Sequence, residues 1–315
     1  MMKTFHGAPA VASLALLMTP GAHAQDWSQR TTIGASRAGR SIEVTTLGKP
    51  GTDALGRTRD QRPALLLVAG VQGQHAIGRD VSRLVADGIL ADHRDLLESH
   101  TLYVIHTVNP DGARWLTASP SMEFGRAPTP GDADHDGRAD EDGADDLNAD
   151  GLITMMRIAN PSPASGLKAE WVIDDVEPRL MRKPKTEEGE IATHALLLEG
   201  LDNDSDGAFN EDGPGGSAGG GVNLDQNFPS HYDEHADGAG LYTTSEPETR
   251  AIIDWLLTRD NIVAALVYGP HDNLVKTPAT GKFDPSGRMP TGIEKGDEAM
   301  HKAIGKAFTD ITGMK

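Results

Sequence analysis

The chain has 315 residues, 37% of them hydrophobic, enough for one large core with or without a small satellite. Its net charge of −18 excludes nucleic acid and anionic membrane surfaces as electrostatic partners. With no cysteine there is no disulfide, thiolate ligand or cysteine nucleophile, so stability must come from packing and from bound cations.

Residues 1–24 read as a secretory signal peptide. Lys3 supplies a positive start, Ala8 to Met18 is apolar, and Ala22-His23-Ala24 fits the small-x-small cleavage rule. The apolar stretch is too short to span a bilayer, so the mature form carries no membrane span and is expected in the periplasm or outside the cell. The rest, 25–315, reads as one α/β domain.

Thr31 to Gly48 predicts a hairpin turning at Ala38-Gly39, followed by a polar surface loop from Lys49 to Arg62. Ala64 to Val68 is a buried-strand run. It enters Ala69-Gly-Val-Gln-Gly-Gln-His-Ala-Ile-Gly-Arg-Asp80, and then a helix whose apolar residues are Ile77, Val81, Leu84, Val85 and Ile89. Strand, glycine-rich turn and helix place that turn at the carboxyl edge of a sheet, where open α/β folds bind ligands. Thr101 to Val108 is a second strand, and Asn109-Pro-Asp-Gly112 is a turn.

Residues 128–220 form an acidic insertion poor in periodic apolar runs, with short elements expected around Trp171 and from Ala192 to Leu198. Three of its segments share a template of oxygen-bearing side chains around a glycine. The first holds Asp132, Asp134, Asp136 and Asp140, the second Asp146, Asn148 and Asp150, and the third Asp202, Asp204, Asp206 and Asn210. Alternating carboxylates aimed at one centre suit calcium, which takes six to eight oxygens, better than magnesium, and its role would be structural. Position 12 of the template is Gly143, Arg157 and Gly213, so no copy supplies a closing glutamate, and Asp142 and Asp212 are the candidates to replace it.

Ser245-Glu-Pro-Glu248 predicts a helix start with Ser245 as N-cap. Ile262 to Val267 is a buried-strand run. A last helix is expected from about Asp297 to Ile311, with Met300, Ile304, Phe308 and Ile311 on one face. No Gly-x-Ser-x-Gly elbow is present.

Five of these segments, in this order, resemble the zinc carboxypeptidases: Ile33-Gly-Ala-Ser-Arg-Ala-Gly-Arg40, the turn at 70–75, Asn109-Pro-Asp-Gly112, Gly221-Val-Asn-Leu-Asp-Gln-Asn-Phe228, and Ser245-Glu-Pro-Glu-Thr-Arg250. The resemblance implies an α/β fold with a mixed, largely parallel central sheet and helices on both faces. It also implies a zinc ion held by a histidine and a glutamate of the turn and a histidine ending a later strand. Those positions are Gln72, His75 and Gly269, of which only His75 is a good zinc donor; His271 is an alternative donor nearby.

Where the family carries Asn-Arg to grip a peptide's terminal carboxylate, this chain carries Asp225 and Gln226. The exchange repels an anionic terminus. Arg157 is the expected counterpart of the family's oxyanion-stabilising arginine. The family's general-base glutamate falls beyond Lys315, so a C-terminal part is expected to be missing.

Three functions follow as expectations. The first is a peptide- or cell-wall-peptide-binding protein whose zinc site is degraded. The others are a metallocarboxypeptidase with a rebuilt zinc site, using His75, His271 and another histidine such as His106 or His231, and a calcium-dependent non-catalytic interaction module.

Overall fold

The computed structural model describes residues 27–132, 135–205, 207–214, 220–272, 274–288 and 290–314. The signal segment 1–24 and the loop residues Asp134 and Asp206 lie outside the described residues. The hairpin is present as β1 (Ser28–Ala35) and β2 (Ser41–Leu47), and Gly39 takes φ 78° where the chain reverses. Then come β3 (Ala64–Ala69), α1 (Ala76–Asp92), the single turn α2 (Leu96–Ser99), β4 (Thr101–Ile105) and the short α3 (Pro110–Arg114).

β5 (Ser121–Met122) precedes the acidic insertion, whose described residues hold the short strands β6 (Leu152–Ile153), β7 (Met155–Ala159), β8 (Val172–Ile173), β9 (Met181–Arg182) and β10 (His194–Leu198). They pair as β5 with β6, β7 with β10 and β8 with β9. The chain continues with α4 (Pro247–Leu256), β11 (Ile262–Tyr268) and α5 (Glu298–Thr312).

The central sheet has the order β1-β2-β4-β3-β11. It is mixed: the pairs β1–β2 and β2–β4 are antiparallel, and the pairs β4–β3 and β3–β11 are parallel. Alternation along each strand sends side chains to opposite faces. Ile42, Val44, Leu66, Val68, Tyr103 and Ile105 meet Ile252 and Trp255 of α4, while Leu47, Leu67, Leu102 and Val104 meet Ala86 of α1 and Leu97 of α2. Helices therefore cover both faces. Trp255 stands edge-on to Tyr103, with ring centroids 5.2 Å apart. The Tyr103 hydroxyl donates to Asp60 at 2.9 Å, and burial pushes its pKa up to about 12.

Several local expectations are corrected. On α1 the residues turned to the sheet are Ser82, Val85, Ala86, Ile89 and Leu90, an i, i+3, i+4, i+7, i+8 row. Ile77 and Leu84 lie off that row and are exposed. Asn109-Pro-Asp-Gly112 is not a bare turn: Pro110 opens α3, and Asn109 caps it by accepting from the Gly112 amide at 2.7 Å. The N-cap of α4 is Glu246, one residue later than expected, because the Ser245 hydroxyl is held by Asn227 at 3.0 Å.

β11 was expected to be buried, yet Val263 is 73% and Val267 53% exposed. Among the described residues it is an edge strand whose one ladder partner is β3. The apolar face of α5 is likewise open at Met300, Ile304 and Ile311. Among the described residues no helix is long and apolar enough to cross a membrane.

Glu248 is fully buried on α4. One carboxylate oxygen accepts from the Arg37 amide at 3.1 Å, and Oε2 has no hydrogen-bond partner among the described residues. Burial raises its pKa, and the carboxylates of Glu246 and Asp111 add to the rise. A raised folded-state pKa contributes stability that is present below the unfolded value and lost as pH climbs through the folded one. Glu248→Gln is therefore expected to match the wild type in thermal midpoint below the ordinary glutamate range and to exceed it as pH rises above that range. Parallel midpoints across that range would contradict the assignment.

Candidate functional site

The turn after β3 is fixed from three sides. The Gly73 amide donates to the Gly125 carbonyl at 2.9 Å, and the Asn109 carboxamide donates to the same oxygen at 3.1 Å. A Cβ at Gly73 would collide with the Gly112 backbone and lie 2.6 Å from the Phe124 carbonyl oxygen. Gly73→Ala is expected to cost about 1–3 kcal/mol in urea unfolding, because backbone on both sides must give. The segment 221–227 is drawn in by the bridge between Ala127 and Val222. Fully buried Asn227 then ties it down, donating to the carbonyls of Ala239 at 2.8 Å and Tyr242 at 3.2 Å and accepting from the Thr249 hydroxyl at 2.7 Å.

Gln72 and Asp225 meet here. Gln72 Nε2 donates to Asp225 Oδ2 at 2.6 Å, across 153 positions of sequence. Gln74 Nε2 approaches Gln72 Oε1 at 3.5 Å. Gln226 is exposed beside Asp225. His75 is the half-buried residue preceding α1. Gly269 directly follows β11, whose last pair is Tyr268 with Ala69, so it lies at the same sheet edge as the turn. It is exposed, its Cβ position is clear of other atoms, and its φ is outside the left-handed range.

Among the described residues the other candidate histidines form no three-ligand group with His75. His106 Nδ1 shares a hydrogen bond with Ser82 at 2.9 Å, and burial, then the charges of Arg83 and Arg30, lower its pKa. His231 lies between Ser230, at 2.9 Å, and the Pro290 carbonyl, at 2.7 Å. His271 is exposed.

Arg157 is not carried to the turn. It stands on β7 and donates to the Pro178 carbonyl at 2.8 Å, inside the insertion. Arg126, which the sequence did not single out, stands beside the turn. It follows Gly125, the residue that holds the turn, and its two terminal nitrogens bind Asp237 at 3.0 and 2.5 Å. Its only trace in the sequence is a Gly-Arg pair, one of four ahead of the acidic insertion.

On the hairpin side, Asp111 is buried and accepts from the Ser36 hydroxyl at 2.8 Å, the Ala38 amide at 2.9 Å and Arg40 at 2.6 Å. Arg37 pairs with Glu246 at 2.8 Å. A cleft of about 320 Å³ opens there, between the hairpin turn and the residues Pro128, Pro130 and Pro214 at the insertion's ends.

Residues 19–148 match the sequence model of the zinc carboxypeptidase family. Solved structures similar to the chain include the carboxypeptidase A from Helicoverpa armigera, at 12% identity and TM-score 0.45, covering 78% of this chain and 42% of that one. Bovine thrombin-activatable fibrinolysis inhibitor, solved with tick carboxypeptidase inhibitor, aligns at 14% identity and TM-score 0.39 over 78% of this chain and 54% of its own. A metallo-carboxypeptidase from Burkholderia cenocepacia reaches 22% identity over 28% of this chain and 25% of its own, with TM-score 0.23. The chain thus spans about half or less of the length of these proteins. No curated protein matches it.

The zinc that this family implies can be tested against the donors present. A carboxamide whose nitrogen is already given to Asp225, one imidazole and a glycine do not make the three-ligand set of a catalytic zinc. The residues at the family's ligand positions do not fit the metal. Among the described residues no three His, Asp or Glu side chains group to hold any metal ion.

Proposed function

We propose that this chain is an exported carboxypeptidase-family protein that holds a peptide, or a cell-wall peptide, at the sheet edge around Gln72 and Asp225 without zinc-dependent cleavage. The observation that carries the reading is the 2.6 Å Gln72–Asp225 hydrogen bond. The two exchanges that each look damaging alone, a zinc ligand to an amide and a substrate-gripping pair to an acid, satisfy one another. What remains is an amide–carboxylate pair at an open edge. Such a pair bonds peptide N–H and C=O groups and disfavours an anionic terminus.

The test combines zinc analysis with two assays on the purified protein. Peptides are expected to raise the thermal midpoint while no C-terminal residue is released. One tightly held zinc per chain, with C-terminal residues released, would establish the metallocarboxypeptidase reading instead.

Export rests on Lys3, the apolar run from Ala8 to Met18 and Ala22-His23-Ala24. A second reading, calcium as a structural cation of the insertion, is favoured by buried side-chain oxygens that find no hydrogen bond there, Asp142 Oδ2 and Asn210 Oδ1 among them.

A further inference from the structure

The three acidic loops share a template, but their oxygens are not in the same condition. In the loop from Asp146 to Asp150 the carboxylates are occupied by the loop's own backbone. Asp146 accepts from the Asp150 and Gly151 amides at 3.2 and 2.9 Å, Asn148 from Asp150 at 2.8 Å, and Asp150 from Leu152 at 2.8 Å. Buried Glu199 closes this loop from outside, accepting from the amides of Leu147 at 2.9 Å, Asn148 at 3.2 Å and Thr154 at 3.2 Å. Nothing in it calls for a cation.

The other two loops meet. Asp142, eleventh in the first loop, has no exposed surface, and its Oδ1 accepts from the Asn203 amide, the second residue of the third loop, at 2.9 Å. Its Oδ2 has no hydrogen-bond partner among the described residues. Asp202 Oδ2 accepts from the Gly207 amide at 3.2 Å, and its buried Oδ1 likewise has no partner among the described residues. Asn210, 1% exposed, donates to the Leu198 carbonyl at 2.8 Å, which orients its amide and leaves Oδ1 without a donor. No Lys or Arg pairs with Asp142 or Asp202 among the described residues. A fully buried carboxylate with no counter-charge is costly enough that a folded chain normally pairs it or coordinates a metal with it.

We infer that Asp142 of the first loop supplies the closing carboxylate of a divalent-cation site whose other donors are Asp202 and Asn210 of the third loop, so that one ion clamps the two loops together. This explains why the third loop carries no acid at position 12: the missing ligand comes from across the junction. Two carboxylates and a carboxamide, completed by backbone carbonyls and water, suit calcium rather than magnesium. Such a shell also agrees with the absence of any three-acid group among the described residues.

The inference rests on the calcium reading above, and the experiment separates the two. The full chain is stripped with chelator and titrated with calcium by calorimetry, as wild type, Asp142→Asn, Asn210→Ala and Asp150→Asn. The wild type is expected to bind. Asp142→Asn, which keeps an oxygen for the Asn203 amide, and Asn210→Ala are each expected to bind about tenfold or more weakly, a loss of about 1.4 kcal/mol. Asp150→Asn is expected to stay within about twofold of the wild type.

Wild-type affinity in Asp142→Asn together with loss in Asp150→Asn would leave the calcium reading standing and overturn the shared site. No binding by the wild type at millimolar calcium would overturn both. Limited proteolysis of the wild type decides the matter if a variant fails to fold. Calcium should protect 140–143 and 202–210 with one common midpoint, and separate midpoints would refute the clamp.

Discussion

Trp255→Ala is expected to destabilise the chain by about 3–5 kcal/mol, a large part of the stability of a domain this size. The indole is 9% exposed and joins α4 to the sheet face formed by Ile42, Val44, Leu66 and Tyr103. Removing it leaves a cavity under α4 and strips the edge-on partner from Tyr103. It also removes a ring over which Arg259 lies at 5.4 Å. Trp255→Phe keeps an aromatic edge and should recover more than half of the loss. Chemical denaturation of both variants measures this, and equal midpoints for Ala and wild type would mean that α4 contributes little to the core.

The second large effect is a gain. In Gln72→His with Gly269→His, native His75 completes a set of three imidazoles, a donor set that catalytic zinc uses elsewhere. The new side chain at 269 meets open space and an ordinary backbone conformation. Asp225, released from Gln72, is placed to accept from the ring of the new histidine at 72 and orient it. Zinc affinity measured against a chromophoric chelator is expected to rise by about a thousandfold or more over wild type. Gly269→His alone should gain far less. A double variant no tighter than wild type would show that the two sheet-edge positions and His75 do not share a centre.

Much of the scaffold was legible because its signals are local. The hairpin around Gly39, the buried run of β3, α1, β4, the Pro247 helix start and β11 are each written in period, caps or turn residues. Sheet order depends on which distant strands pair, as β11 pairs with β3, and no local signal records it.

What stayed hidden depends on neighbours. Ser245 reads as a cap until Asn227, eighteen residues earlier, claims its hydroxyl. Val263 and Val267 read as core because a hydrophobic run looks alike in a central strand and at an edge. Arg157 and Arg126 could not be ranked from spacing, since the short β7–β10 pair inside the insertion decides where Arg157 goes. At the site itself the replaced residue types were plain in the sequence. That Gln72 and Asp225 hydrogen-bond each other was not, because nothing local links positions 153 residues apart.

The outward margin of β11 has a bearing on handling. Backbone amides and carbonyls along one side of a strand, flanked by Val263 and Val267, recruit any extended peptide of compatible register. Preparations should therefore self-associate as they are concentrated, and a lysine at position 263 should raise the concentration at which they remain monodisperse.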